Sequence, residues 1–205
     1  MLRRRRWSDT LEQHMEFPEN SFDAVFVLEA TVHAPSLQGV YEQIYRVLKP
    51  GGTFGVFEWV LTDKYDDSNP THQATRLGIE RGTGISSLQT RRHAEEAIQA
   101  AGFTLEHAED LAARSDRIRW YYPIIGKFKH ENWKDVIGLL RQTHIGRSIV
   151  GWLLTLLELV RIVPAGTAKT SGELALAADH IAAGGKAEIF TPMFFMIGKK
   201  PQRSE

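Results

Sequence analysis

Apolar residues fall at nearly consecutive positions from Phe22 to Leu28, and the run stops abruptly at Glu29. Consecutive rather than alternate apolar positions predict a strand covered on both faces, as in a parallel sheet flanked by helices. Pro35 and Ser36 then open a helix over residues 37–48, with Val40, Ile44, Val47 and Leu48 at helical spacing, and Pro50, Gly51 and Gly52 stop it. A second apolar run at 53–60 completes a strand, helix and strand, with a right-handed crossover if the strands are parallel.

Further along, Asn69 and Pro70 predict a helix start that fades at Gly82, Thr83 and Gly84. Thr90 reads as the cap of a helix closed by Gly102, with Ala94, Ala97, Ile98 and Ala101 on one face. Weak alternation over 103–108 predicts a strand near a sheet edge. Helices are expected at 131–145, 146–163 and 171–183, the last ending at Gly184 and Gly185. A final strand is expected over 188–198, where Pro192 argues that its first residues lie at an edge. The economical fold class is a doubly wound α/β sheet. The segment from Ile149 to Val163 is apolar almost all round, so it reads as a buried helix, an interfacial one or the wall of an apolar pocket.

Composition narrows this picture. The 205 residues hold 42% hydrophobic side chains, enough for one ordinary core and a small appendage. Lysine plus arginine balance aspartate plus glutamate at 25 each, which gives no argument for nucleic acid as a partner. With no cysteine there are neither disulfides nor thiolate metal sites, and the eight histidines lack ligand spacing, so no metal is expected. No stretch reaches the roughly 20 apolar residues of a membrane span. Residues 1–16, with Arg3 to Arg6, read as a charged, unstructured end.

Candidate chemistry gathers where the first strand ends. Ligands of open α/β sheets bind at the carboxyl ends of strands, and Glu29 and His33 lie there. Each also has a plainer reading. His33, ahead of Ala34 and Pro35, caps the next helix, and Glu29 accepts backbone hydrogen bonds from its own loop. Glu58 ranks lower because it falls inside the second strand. Trp120, Tyr121 and Tyr122 form an aromatic triplet that either packs a small core or offers ring faces to a ligand.

The stretch Glu29-Ala30-Thr31-Val32-His33-Ala34-Pro35 resembles a signature of the sterol 24-C-methyltransferases, with Val32 where cysteine is usual. Phe57 to Asp66, Trp120 to Pro123 and Phe190 to Met193 are similar to further segments of that family, in the same order. The resemblance runs from about Phe17 to Pro201 and implies the C-terminal part of a class I, Rossmann-like methyltransferase. Its sheet would be partial here, with a helical C-terminal insertion before a final strand. The implied divisions are a methyltransferase portion at 17–110, a helical region at 111–187 and the returning strand at 188–200.

The resemblance also implies S-adenosylmethionine as methyl donor, contacted by Glu29, Ala30 and His33, and a sterol as substrate. Glu29 or His33 would act as base, and Trp59, Tyr65, Trp120, Tyr121 and Tyr122 would present aromatic faces to a cation. The family's glycine-rich cofactor loop is expected upstream, since no glycine precedes Gly39. The isolated chain is accordingly expected to be inactive or incomplete, to pair with a missing N-terminal half or with another copy, and to expose an unpaired edge at strand 22–28. The alternative is a non-catalytic sterol-binding or dimerisation fragment. By the same resemblance the protein lies peripherally on the endoplasmic reticulum or lipid-droplet surface.

Overall fold

The computed structural model describes residues 15–114, 119–125 and 143–202. Residues 131–142 of the helix expected at 131–145 and most of the basic N-terminal segment lie outside the described residues. The chain divides into two compact units, residues 1–64, 86–114 and 191–205 in the first and 65–85 with 115–190 in the second.

In the first unit β1 (Phe22–Leu28) pairs in parallel with β2 (Leu48–Leu61), Val25 opposite Phe54 and Leu28 opposite Phe57. Between them runs α1 (Leu37–Val47), whose N-cap Ser36 accepts from the Gly39 amide at 3.1 Å. A short β3 (Gln89–Thr90) adds to the end of β2 and leads into α3 (Arg91–Ala100), capped by Thr90. β4 (Thr104–Asp110) and β5 (Phe190–Lys199) are antiparallel, and the strand order is β1-β2-β5-β4. Tyr41 and Ile44 of α1, Phe54 and Val56 of β2, and Ile98 of α3 fill the core with Phe194 and Met196 of β5.

Two expectations about strands change. β1 is not covered on both faces. Val25 and Val27 pack against the core, whereas Phe26 is 78% and Leu28 60% exposed. The reason is position: β1 ends the sheet and, among the described residues, pairs only with β2. β5, in contrast, lies inside the sheet. Its pairing with β4 begins only at Phe194, opposite Asp110, so Pro192 sits beyond the last β4 pair, where the missing amide costs that ladder nothing. The turn at Gly51 and Gly52 is stitched to the end of β5 by two backbone hydrogen bonds with Lys200, each 2.9 Å.

The second unit is helical. α2 (Pro70–Thr83) starts at the Asn69 cap and ends at Gly84, which adopts the left-handed conformation at φ 74°. It packs on α5 (Thr167–Lys186), as does α4 (His144–Leu159). α5 does not stop at Gly184 and Gly185 as the glycine pair suggested, but runs through both. Tertiary packing overrides propensity there, because a Cβ on Gly185 would meet the Tyr121 ring at 2.6 Å and the Trp120 ring at 2.7 Å. The glycines are needed for close approach, not for termination.

Candidate functional site

The first unit places its polar groups at the carboxyl ends of β1 and β2. Glu29 follows β1 in the left-handed region, φ 54°, with its amide held to the Phe57 carbonyl at 3.1 Å. For a residue with a Cβ that conformation costs about 1 kcal/mol, and such strain gathers at ligand sites. Thr31–His33 then forms a single turn closed by the Ala34 amide on the Thr31 carbonyl at 2.9 Å. Glu29, Ala30 and His33 are all exposed, which suits contact with a polar ligand.

Beneath this turn lies the unit's one buried carboxylate among the described residues. Phe54, Val56, Glu58 and Val60 alternate onto the same buried face of β2, and Glu58 is only 1% exposed. Its Oε1 accepts from the hydroxyl of Thr31, in the turn, and from that of Tyr41, in α1, the latter at 2.5 Å. Its Oε2 has no hydrogen-bond partner among the described residues. Burial pushes the Glu58 carboxyl from the ordinary 4.5 up to about 7, against the smaller downward pull of the Thr31 and Tyr41 hydrogen bonds. Burial, with the neighbouring Glu58, also holds Tyr41 well above its usual range, so Tyr41 remains a neutral donor. A carboxyl poised near neutrality can take up or release a proton where an ordinary glutamate cannot.

A cavity of about 110 Å³ opens beside Glu58 and Trp59, lined also by Val32, Ser36, Gln89 and His93. The turn, the strand end and the start of α3 thus converge on one small polar pocket. The sequence ranked Glu58 below Glu29 and His33 because it lies within a strand. The period of two carried the signal, for an acid in register with three buried apolar residues must be buried too.

Of the aromatic candidates, Trp59 belongs to this unit and is half-buried beside the cavity. Tyr65 belongs to the second unit, where its hydroxyl donates to Asp67 at 2.9 Å and its ring lies over His72. Trp120, Tyr121 and Tyr122 also belong there, stacked edge to face on one another, with Trp120 edge-on to Phe190. All three are half-buried, and Trp120 and Tyr121 lie against Gly185.

Residues 137–202 match the sterol methyltransferase C-terminal family, and residues 6–56 match a methyltransferase domain. The sterol 24-C-methyltransferase of Aspergillus fumigatus is 52% identical over 190 residues, covering 92% of this chain and 50% of that protein. That of Saccharomyces cerevisiae is 43% identical over 192 residues, with 93% and 50% covered. The chain therefore spans about half the length of the curated relatives it matches. Among solved structures, a putative sarcosine dimethylglycine methyltransferase from Galdieria sulphuraria superposes with TM-score 0.55 at 15% identity, over 94% of this chain and 57% of that one. A geranyl diphosphate methyltransferase in complex with SAM gives 0.56 at 10% identity, over 93% and 55%. At these identities the likeness establishes the fold, a partial class I methyltransferase sheet with a helical addition.

Proposed function

We propose that this chain, a member of the sterol 24-C-methyltransferase family by sequence, supplies the C-terminal part of an enzyme that methylates C24 of a sterol side chain. The observation that carries the reading is the 52% identity sustained over 190 residues. S-adenosylmethionine, when bound, supplies an electrophilic methyl group. The exposed Glu29, Ala30 and His33, on a backbone fixed by the Phe57 carbonyl and the turn at Thr31, fit the polar end of that molecule.

The sterol's side-chain double bond provides the electron pair for the new carbon–carbon bond, and the sulfur keeps the pair of the bond that breaks. A hydride shift moves the resulting cation along the side chain, and a proton then leaves to a base. Glu29 or His33 takes that proton, and the half-buried Trp59 offers a ring face to the cation.

The test is a chimera in which this chain replaces the corresponding half of the Aspergillus fumigatus relative. Given labelled S-adenosylmethionine and a sterol with the side-chain double bond, it should yield labelled sterol, and the His33→Ala chimera should yield less than about a hundredth as much. The chain by itself should yield none. A folded chimera that binds both substrates and leaves the sterol unlabelled would overturn the reading.

The same reading extends to where the protein lies. The described residues include no helix long and apolar enough to cross a membrane. α4, however, is inverted for a surface helix. Ile145, Ile149, Trp152, Leu153, Leu156 and Leu159 are 40–80% exposed. Its charged residues turn inward instead, Arg147 to Asp179 and to the Ile124 carbonyl, Glu158 to the Ala168 amide. An uncharged apolar face carrying a tryptophan suits peripheral contact with a membrane surface such as that of the endoplasmic reticulum or a lipid droplet. The chain should float with phosphatidylcholine vesicles, and Trp152→Glu combined with Leu156→Glu should leave it in the soluble fraction with its circular dichroism unchanged.

A further inference from the structure

We infer that Glu58 is a positioning residue, a buried clamp that fixes the ligand-facing turn 29–34 to β2 and α1 through the hydroxyls of Thr31 and Tyr41. The inference rests on the reading above only in taking that turn as the ligand-facing segment.

Three observations combine. First, the turn is otherwise lightly held. Beyond the Glu29 amide on the Phe57 carbonyl at its start, its backbone hydrogen bonds are the Ala34 amide on the Thr31 carbonyl and a longer one, 3.4 Å, from the His33 amide to the Ala30 carbonyl. Glu29, Ala30 and His33 are exposed, so within the turn Thr31 and Val32 provide the buried anchor. Second, both clamp hydrogen bonds end on one oxygen, Oε1, and join segments 27 and 17 residues away in sequence from Glu58. A single acceptor therefore ties the turn, the strand and the helix together at a point that is 1% exposed. Third, Oε2 has no hydrogen-bond partner among the described residues, and Glu58 lines the cavity shared with Ser36, Gln89 and His93. A purely structural acid would be expected to satisfy both oxygens. One oxygen holds the turn and the other is left to carry the proton.

The geometry makes the clamp sensitive to pH in a definite direction. Among the described residues, the titratable groups beside Glu58 are Tyr41, from α1, and His93, from α3, which lines the same cavity. Loosening the turn admits water to Glu58, relieves the burial that raises its proton affinity, and so releases a proton. Opening must therefore become easier as pH rises towards neutrality, and ligand contact made by Glu29 and His33 is ordered best on the acid side.

Amide hydrogen exchange of this chain, with rates corrected for the intrinsic effect of pH, tests the inference without any methyl transfer. In the wild type the protection of residues 31–34 should fall by about tenfold between acid and neutral pH, while the core amides of β2 change far less. Glu58→Gln keeps the acceptor and loses the titration, so its protection should not vary with pH. Thr31→Val, which keeps the shape and removes the donor, should lower protection of the turn about tenfold at acid pH, and Thr31→Ser should restore it. A pH step that persists in Glu58→Gln, or turn protection unaltered in Thr31→Val, would overturn the inference. Failure of the chimera to methylate sterol would leave these exchange results intact, so the two readings fail separately.

Discussion

A Glu58→Gln variant should be more stable than the wild type above neutral pH by about 3 kcal/mol and should converge with it in acid. The magnitude follows from a carboxyl raised from 4.5 to about 7, at roughly 1.4 kcal/mol per pH unit, and is an upper figure for a buried group. The sign follows from linkage. The folded state holds the Glu58 proton more tightly than the unfolded chain does. Between pH 4.5 and about 7 folding is therefore accompanied by proton uptake, and wild-type stability declines as pH rises through that window. Below it both forms carry a neutral side chain, and Gln still accepts from Thr31 and Tyr41. Urea titrations of both proteins across the pH range give the difference directly. A constant offset between the two curves would show that the carboxyl titrates normally.

Gly82→Val should have an effect of similar size in the second unit. Gly78 and Gly82 lie one turn apart on α2, at the contact with α5. A Cβ at residue 82 would stand 2.2 Å from Ala177 Cβ and 2.9 Å from the Glu173 carbonyl oxygen, so the two helix backbones must separate. Separation exposes Ile79 and Ala177, both now buried, and breaks the Arg81–Glu173 ion pair at 2.7 Å. The cost should be about 3 kcal/mol or more. Gly151→Ala on α4 is the control, because nothing lies within 4 Å of a Cβ there, and it should stabilise by about 0.5 kcal/mol. Thermal melts of the three proteins separate the outcomes, and a Gly82→Val protein that melts with the wild type would show that α2 and α5 are not in close contact.

Where the sequence carried both a hydrophobic period and a chemical stop, the elements were legible. Ser36, Asn69 and Thr90 each cap the helix they were expected to open, because a side-chain acceptor ahead of an apolar period has few other uses. Glycine misled in α5, since the same residue that ends a helix also admits a neighbouring ring. β1 misled in a different way: its apolar run is written for cover that the described residues do not supply, so Phe26 and Leu28 stand open. At the site, the loop from Glu29 to His33 stood out because polar residues end an apolar run. Glu58 stood lower in rank, because position within a strand alone ignores which face the position falls on. The grouping of residues 65–85 with the helical unit lay beyond local pattern altogether, since it depends on contacts such as Arg81 with Glu173, 92 residues apart.

The place of β5 bears on how the protein is made. Its partners β2 and β4 are complete by residue 110, yet the strand that lies between them begins only at Phe190. Lys199 reaches Thr53 across 146 residues, so a ribosome must deliver nearly the whole described chain before the sheet can close. Until then β4 lacks β5, its sheet partner among the described residues, and the core faces awaiting Phe194 and Met196 are open to chaperones and to other chains. A message cut short ahead of residue 190 would yield the Glu29–His33 turn on a sheet with a missing middle. Synthesis of the ten residues of β5 is thus the event that commits the first unit to its fold.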